Sequence, residues 1–198
     1  MWRPTPPNKT PAGSFDISSF KRVGMVNGKS VYYTTPINDY GYGTFPWAAD
    51  QLQTTPLIVP KRITLDRIGL RVAAPASATQ SRLGIYADNG NVFPSRLVLD
   101  AGTVDVTTAG FKFIEINQTL EPGLYWLATL HNGDVTLNVS TPANHVNVMG
   151  HDPEDTAQAY SRVDAVYPFT AGSLPNPFPA DGRYILGGYR LVFVRLSA

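Results

Sequence analysis

The sequence predicts an all-β fold: an antiparallel two-sheet sandwich of jelly-roll type, preceded by an extended N-terminal arm and a hairpin. Three observations predict it. From Ile63 to Val139, short apolar runs alternate with turn residues, and none is long or periodic enough for a buried helix. Gly and Pro, 17 each in 198 residues, both exceed ordinary usage and favour many turns and few helices. Strand-length runs recur at roughly ten-residue spacing with turn signals between them.

Residues 1–60 read as a separate part: a proline-rich arm, a hairpin and an aromatic segment suited to anchoring. Pro4, Pro6, Pro7 and Pro11 hold the first dozen residues extended, because proline fixes φ and lacks a donor. Asn27-Gly28 between apolar stretches signals a type I′ hairpin with strands near 22–26 and 29–34. A lone hairpin is marginal in water, so this one is expected to pack on the main domain or on a neighbour. Residues 36–60 carry Tyr40, Tyr42, Phe45 and Trp47 among Gly41, Gly43 and Pro46, and read as irregular. These rings either cap one end of the sandwich or meet another subunit.

The sandwich is expected over 61–198. Ile63 and Leu65 share one phase, and after Asp66-Arg67 it shifts to Ile68, Leu70 and Val72, which predicts a bulge or a bend. Ala73 to Ser81 reads as a loop. Leu83 and Ile85 resume a strand that Asp88-Asn-Gly-Asn91 turns. Leu97–Leu99, Thr103–Val106 and Phe111–Ile116 follow as strands. Leu124 to Leu130 is apolar on both faces and therefore central. Asn132-Gly133 signals a two-residue turn into a partner strand at Val135, Leu137 and Val139. Prolines interrupt the pattern from Thr141 to Gly188, where Asp155 to Val166 is compatible with a short helix. Tyr189 to Leu196 is a final strand, buried along its middle.

Composition excludes several function classes. Net charge is +1, with no clustered Lys and Arg to hold nucleic acid or anionic lipid. No apolar run reaches the ~20 residues that span a bilayer. Met1-Trp-Arg-Pro-Thr-Pro-Pro has no apolar core, so a secretory signal is not expected there. Cysteine is absent, which removes disulfides and thiolate chemistry. Charged residues are 16%, below the roughly one quarter usual for soluble domains, and this suits a surface partly covered by partners.

Catalytic and metal signals are weak. Of His131, His145 and His151, none lies near a Gly-x-Ser-x-Gly turn, so no Ser-His-Asp arrangement is expected. His145 and His151 with Asp152, Glu154 and Asp155 lack a recognised ligand spacing and read as a solvated loop. Asp88-Asn89-Gly90-Asn91 lacks the further ligands of a calcium loop and reads as a turn. No catalytic residue, cofactor or metal is expected. Candidate contacts with a glycan or another subunit are aromatic: Trp47, Tyr40 and Tyr42 in the N-terminal part, and Tyr160, Tyr167 and Phe169 in the proline-rich region. Phe178, Tyr184 and Tyr189 belong to the same region. Rings on such loops stack on sugars, meet a partner or fill the ends of the core.

One pattern resembles a known group. Arg82-Leu-Gly-Ile-Tyr86, then a turn, Pro94, Leu97-Val-Leu-Asp-Ala-Gly102 and Leu120-Glu-Pro-Gly-Leu-Tyr-Trp-Leu-Ala128 are similar in order and spacing to tail and fibre proteins of tailed bacteriophages. The likeness covers residues 60–140. Such patterns often have Pro-Gly after the turn where this chain has Pro94-Ser95, a departure that touches turn geometry alone. The resemblance implies a β-sandwich virion protein, assembled in the host cytoplasm as a homo-oligomer, with a trimer favoured. It implies contacts with other virion proteins through residues 1–60 and with host-surface glycan, or a head-decoration role instead. The matching residues Gly84, Tyr86, Gly102, Gly123, Tyr125 and Trp126 are scaffold, and no binding residue follows from them.

Overall fold

The computed structural model describes residues 25–26, 28–34, 42–75, 77–140, 165–181, 183–184 and 189–197. They contain strands and no helix: β1 (Met25–Val26), β2 (Lys29–Ser30), β3 (Tyr32–Tyr33), β4 (Tyr42–Trp47), β5 (Gln51–Val59), β6 (Ile63–Pro75), β7 (Gln80–Asp88), β8 (Pro94–Asp105), β9 (Gly110–Leu120), β10 (Gly123–His131), β11 (Val135–Ser140), β12 (Ala165–Pro168), β13 (Arg183–Tyr184), β14 (Tyr189–Arg190) and β15 (Val192–Leu196). A six-stranded sheet runs β13-β12-β5-β10-β7-β8. A seven-stranded sheet runs β14-β11-β6-β15-β3, with β4 on β11 and β9 on β6. The hairpin β1–β2 stands as a small separate pair, with Gly28 at φ +73°. The chain leads from it into β3, which joins the large sheet by pairing Tyr33 with Val194.

The all-β, two-sheet expectation holds, and the chain passes repeatedly between the layers. From β5 to β11 each connection changes sheet except β7 to β8. The inner faces meet through Leu57, Leu83, Ile85 and Leu127 on one side and Leu65, Ile68, Leu70, Val72, Val192 and Val194 on the other. All ten are buried. A buried Leu or Val contributes about 1.5–3 kcal/mol, so this interlayer core is the main source of stability.

The phase change in β6 is a bulge. Ladder register slips between Leu65 and Arg67 against β9, and the partner β15 slips at Arg195/Leu196. Against β9 the extra residue lies on β9, between Glu115 and Gln118; against β15 it is Asp66. Freed from the ladder, its carboxylate accepts from Arg195 Nε at 2.8 Å and Nη2 at 2.7 Å, a two-pronged pair joining β6 to β15. The hydrogen bond from Arg195 holds the Asp66 carboxyl below the ordinary carboxylate range. The folded value lies below the unfolded value of about 3.9. Its stabilisation is therefore present above that pH and is lost as pH falls through the folded value. An Asp66→Asn variant is expected to be less stable than the parent at neutral pH, and the gap should narrow as pH falls below the ordinary carboxylate range. Denaturant titrations of both proteins across that range check it.

Three expectations need correction. The boundary at residue 60 cuts through the sandwich: β4 is a strand of the large sheet, and β5 lies between β10 and β12 with Leu52, Leu57 and Val59 buried. Gln53-Thr-Thr-Pro56 hides that strand, because polar residues and a proline interrupt its apolar pattern. Second, Asn132-Gly133 does not close a hairpin. β10 and β11 belong to different sheets, and residues 132–134 carry the chain between them. The Asn132 side-chain oxygen accepts from the amides of Thr79 and Gln80, each at 3.0 Å. Gly133 lies against the backbone of Ser77 and Ala78, where a Cβ would come within 2.7 Å. Third, Leu97–Leu99 and Thr103–Val106 are not two strands. One strand, β8, spans Pro94–Asp105, with register slips and Gly102 at φ +89° absorbing the break in pattern. The helix considered at 155–166 falls on residues outside the described set up to 164, while Ala165 and Val166 belong to β12. The arm at 1–24 also lies outside it.

A second core covers the outer face of the six-stranded sheet. Leu52, Tyr86, Trp126, Ala128 and Leu130 point outward there, and the segment after β12 lays Leu174 and Phe178 over them. β10 is therefore apolar on both faces, as its composition predicts, and it is central between β5 and β7. The covering segment is tied down by its backbone. Phe178 N donates to Ser95 O at 2.7 Å, Leu174 N to Asp100 Oδ2 at 3.2 Å and Ala171 N to Asp50 Oδ1 at 2.7 Å. The Asn176–Pro177 bond within it is cis.

Candidate functional site

The outer face of the seven-stranded sheet has no such cover among the described residues, and its side chains differ in kind. Strand alternation fixes which residues point there. On β6, Ile68, Leu70 and Val72 face the core, so Arg67, Gly69 and Arg71 face out. On β9, Ile114 and Ile116 pack on the core, which turns Phe111, Phe113 and Glu115 outward. On β15, Val192 and Val194 are buried and Phe193 and Arg195 face out. Tyr32 on β3 and Asn138 on β11 complete the set by the same alternation against Tyr33 and Leu137.

Register brings these residues together at Gly69. Phe113 and Phe193 both stand opposite it, one on each neighbouring strand. Phe111 stands opposite Arg71, and its ring folds back over the glycine, where a Cβ would lie 2.9 Å from the ring tip. Ring contacts link the cluster. Tyr32 meets Phe111 edge-on at 4.9 Å, and Phe193 meets it edge-on at 5.9 Å. Phe111 and Phe113 lie nearly parallel at 6.1 Å. Between Tyr32, Arg71, Phe111, Asn138 and Phe193 an open cleft of about 440 Å³ remains. That volume lies within the usual range of small-ligand sites, roughly 300–1,000 Å³.

Among the described side chains three arginines border this face, and they differ in what they engage. Arg195 is held by Asp66. Arg67 pairs with Glu115 at 3.2 Å and lies over the Phe113 ring at 4.2 Å. Arg71 is exposed and engages no carboxylate among the described residues. The cleft therefore combines aromatic walls, an amide, a phenol and an uncompensated guanidinium. Chemically it suits a small amphipathic ligand that is apolar on one face and polar at its edges.

The aromatic candidates chosen from sequence do not gather into one site. Trp47 is 6% exposed and belongs to the interlayer core beside Val135. Phe45 packs on it at 4.4 Å between ring centres and is the more exposed of the two. Tyr42 begins β4, opposite Ser140. Tyr167 and Phe169 sit 6.4 Å apart and pack, half-buried, against the second core. Tyr40 and Tyr160 lie outside the described residues. His145, His151, Asp152, Glu154 and Asp155 lie outside them as well, and no cluster of metal-ligating side chains occurs among the described residues. His131 does meet a serine: Ser81 Oγ and His131 Nδ1 are 2.6 Å apart. Both residues are buried at 1% exposure or less, between the layers, so this pair is not open to a substrate.

The blocks from Arg82 to Gly102 and from Leu120 to Ala128 take structural roles. Arg82, which opens the first block, donates to both carboxylate oxygens of Asp100 in the second, each at 2.8 Å. Gly84 leaves room for Leu174, which a Cβ would strike along with the Leu99 carbonyl. Tyr86 Oη donates to Pro175 O at 2.8 Å, and burial, with the Asp100 charge, raises its pKa well above the ordinary value, so it remains a donor. Trp126 Nε1 donates to Asp88 Oδ1 at 2.9 Å. Asp88 also shapes its own turn, its Oδ2 accepting from Gly90 N at 2.7 Å and Val92 N at 3.3 Å. That accounts for Asp88-Asn-Gly-Asn91 as a turn.

Tyr32, Arg71, Phe111, Asn138 and Phe193 were not among the residues chosen from sequence. A signal for them existed. An isolated glycine inside a strand pattern marks a close approach of another chain segment. Gly69 is such a glycine, and in Phe111-Lys-Phe-Ile-Glu115 two rings stand at alternate positions, out of phase with Ile114. No protein-family model, curated protein or solved structure matches this chain.

Proposed function

We propose that this protein is a structural component of a tailed-bacteriophage virion, of tail or fibre type, whose outer aromatic cleft touches host-surface saccharide. It acts without catalysis of its own, as a homo-oligomer assembled in the host cytoplasm. It joins other virion proteins through its N-terminal part, within residues 1–60. The observation that carries the reading is a division of labour between the two sheets. The blocks that resemble phage tail proteins are spent on turns, core and cover of the six-stranded sheet, while the seven-stranded sheet offers an aromatic cleft with an arginine uncompensated among the described residues. Sugars present apolar C–H faces and hydroxyl edges, which such a cleft complements.

Electron cryo-microscopy of purified particles tests the virion assignment. The expected result is a small number of copies on the tail or its fibres, with the seven-stranded sheet facing solvent. Many copies spread over the capsid would instead support a head-decoration protein. Absence from particles, together with saccharide binding by the purified chain, would favour a carbohydrate-binding module with no virion role. The cleft itself suits that second reading equally.

A further inference from the structure

We infer that the cleft lined by Tyr32, Arg71, Phe111, Asn138 and Phe193 takes a saccharide bearing a carboxylate, with the acid on Arg71 and the sugar ring against the phenylalanines. This rests on the saccharide-contact reading above and narrows it to acidic sugars. The size of the cleft comes first. A cleft of about 440 Å³ lies in the range of small-ligand sites, so it is sized for a small group.

Charge then selects among small groups. Arg67 and Arg195 are already balanced by Glu115 and Asp66. Arg71 alone on this face leaves its charge uncompensated among the described residues. A guanidinium is planar and presents paired donors that match the two oxygens of a carboxylate. One uncompensated positive charge calls for one negative charge. The remaining wall fits a pyranose: Phe111 and Phe193 offer apolar surface, and the Asn138 amide and Tyr32 hydroxyl offer donors and acceptors for ring hydroxyls. A simple aliphatic acid would satisfy Arg71 and leave the rings unused.

The test is calorimetric titration of the full chain with galacturonate, glucuronate and N-acetylneuraminate oligosaccharides. Neutral galactose and glucose oligosaccharides and free acetate serve as comparators. At least one acidic oligosaccharide is expected to bind about tenfold tighter than its neutral counterpart, with acetate showing no heat. Added salt should narrow that ratio. Arg71→Ala should abolish it, and Arg71→Lys should keep part of it, since the charge stays while the paired donors are lost. Arg71 is exposed, so these variants should melt at the parent temperature, which circular dichroism confirms. Equal binding of acidic and neutral sugars, unaffected by Arg71→Ala, would overturn the inference and leave the saccharide reading standing. Failure of every sugar in the panel would overturn both. Acetate binding as tightly as the oligosaccharides would show a bare anion site and overturn the inference.

Discussion

Replacing Asp88 with alanine is expected to lower unfolding free energy by about 3 kcal/mol, the largest loss from any single polar side chain described above. Two effects combine. The buried Trp126 side chain loses the half-buried carboxylate that accepts its indole N–H, and a buried donor left without a partner costs about 1–3 kcal/mol. The turn also loses the carboxylate that gathers Gly90 N and Val92 N. Val92 has φ +59°, a conformation that a β-branched residue adopts only when its surroundings impose it. Without Asp88 that strain is released by opening the turn between β7 and β8. Asp88→Asn keeps an acceptor and should lose clearly less. Urea denaturation of both variants, followed by Trp fluorescence, checks the order.

Replacing Gly69 with alanine is expected to cost about 2–3 kcal/mol and to remove the saccharide binding proposed above. The glycine is needed for space. A methyl group there would strike the Lys112 carbonyl and press on the Phe111 ring and Phe113 Cβ. The ring has a way to move, but the carbonyl belongs to the β6–β9 ladder and does not. A Gly69→Ala, Phe111→Leu double variant should therefore regain little stability. Full recovery in the double variant would show that ring crowding alone sets the cost. A sugar titration on the single variant supplies the second readout, because Phe111 lines the cleft.

Much of the architecture was legible because it rests on local physics. The bulge at Asp66 shows in the sequence as a change of apolar phase within one strand. The central position of β10 shows as apolar residues on both faces. Gly28 announces its hairpin through the positive φ such a turn requires. Misreadings arose where a residue serves a distant neighbour. Asn132-Gly133 has hairpin composition, yet its amide and its open space are used by residues 77–80. Gln53-Thr-Thr-Pro56 has loop composition, yet Leu52, Leu57 and Val59 on either side anchor a central strand.

The cleft was less legible for a related reason. Its residues come from β3, β6, β9, β11 and β15, five strands dispersed between residues 32 and 196. Only the register of the large sheet gathers them. Aromatics on irregular stretches drew attention first, but Trp47 and Phe178 are buried and Tyr167 and Phe169 pack against the second core. Rings on a regular strand look like core in a sequence. Phe111 and Phe113 differ from core residues only in being offset by one position from Ile114 and Ile116, which is enough to place them on the opposite face.

The central claim is that recognition resides on the outer face of the seven-stranded sheet while the six-stranded sheet and its cover are scaffold. Backbone amide NMR of the uniformly labelled chain, titrated with the tightest-binding acidic oligosaccharide, tests it most directly. The account predicts shifts concentrated at Tyr32, Gly69, Arg71, Phe111, Asn138 and Phe193, with Tyr86, Trp126, Tyr167, Leu174 and Phe178 unmoved. Shifts centred on Tyr167, Phe169 and the covering segment, with residues 69–71 and 111 silent, would contradict it.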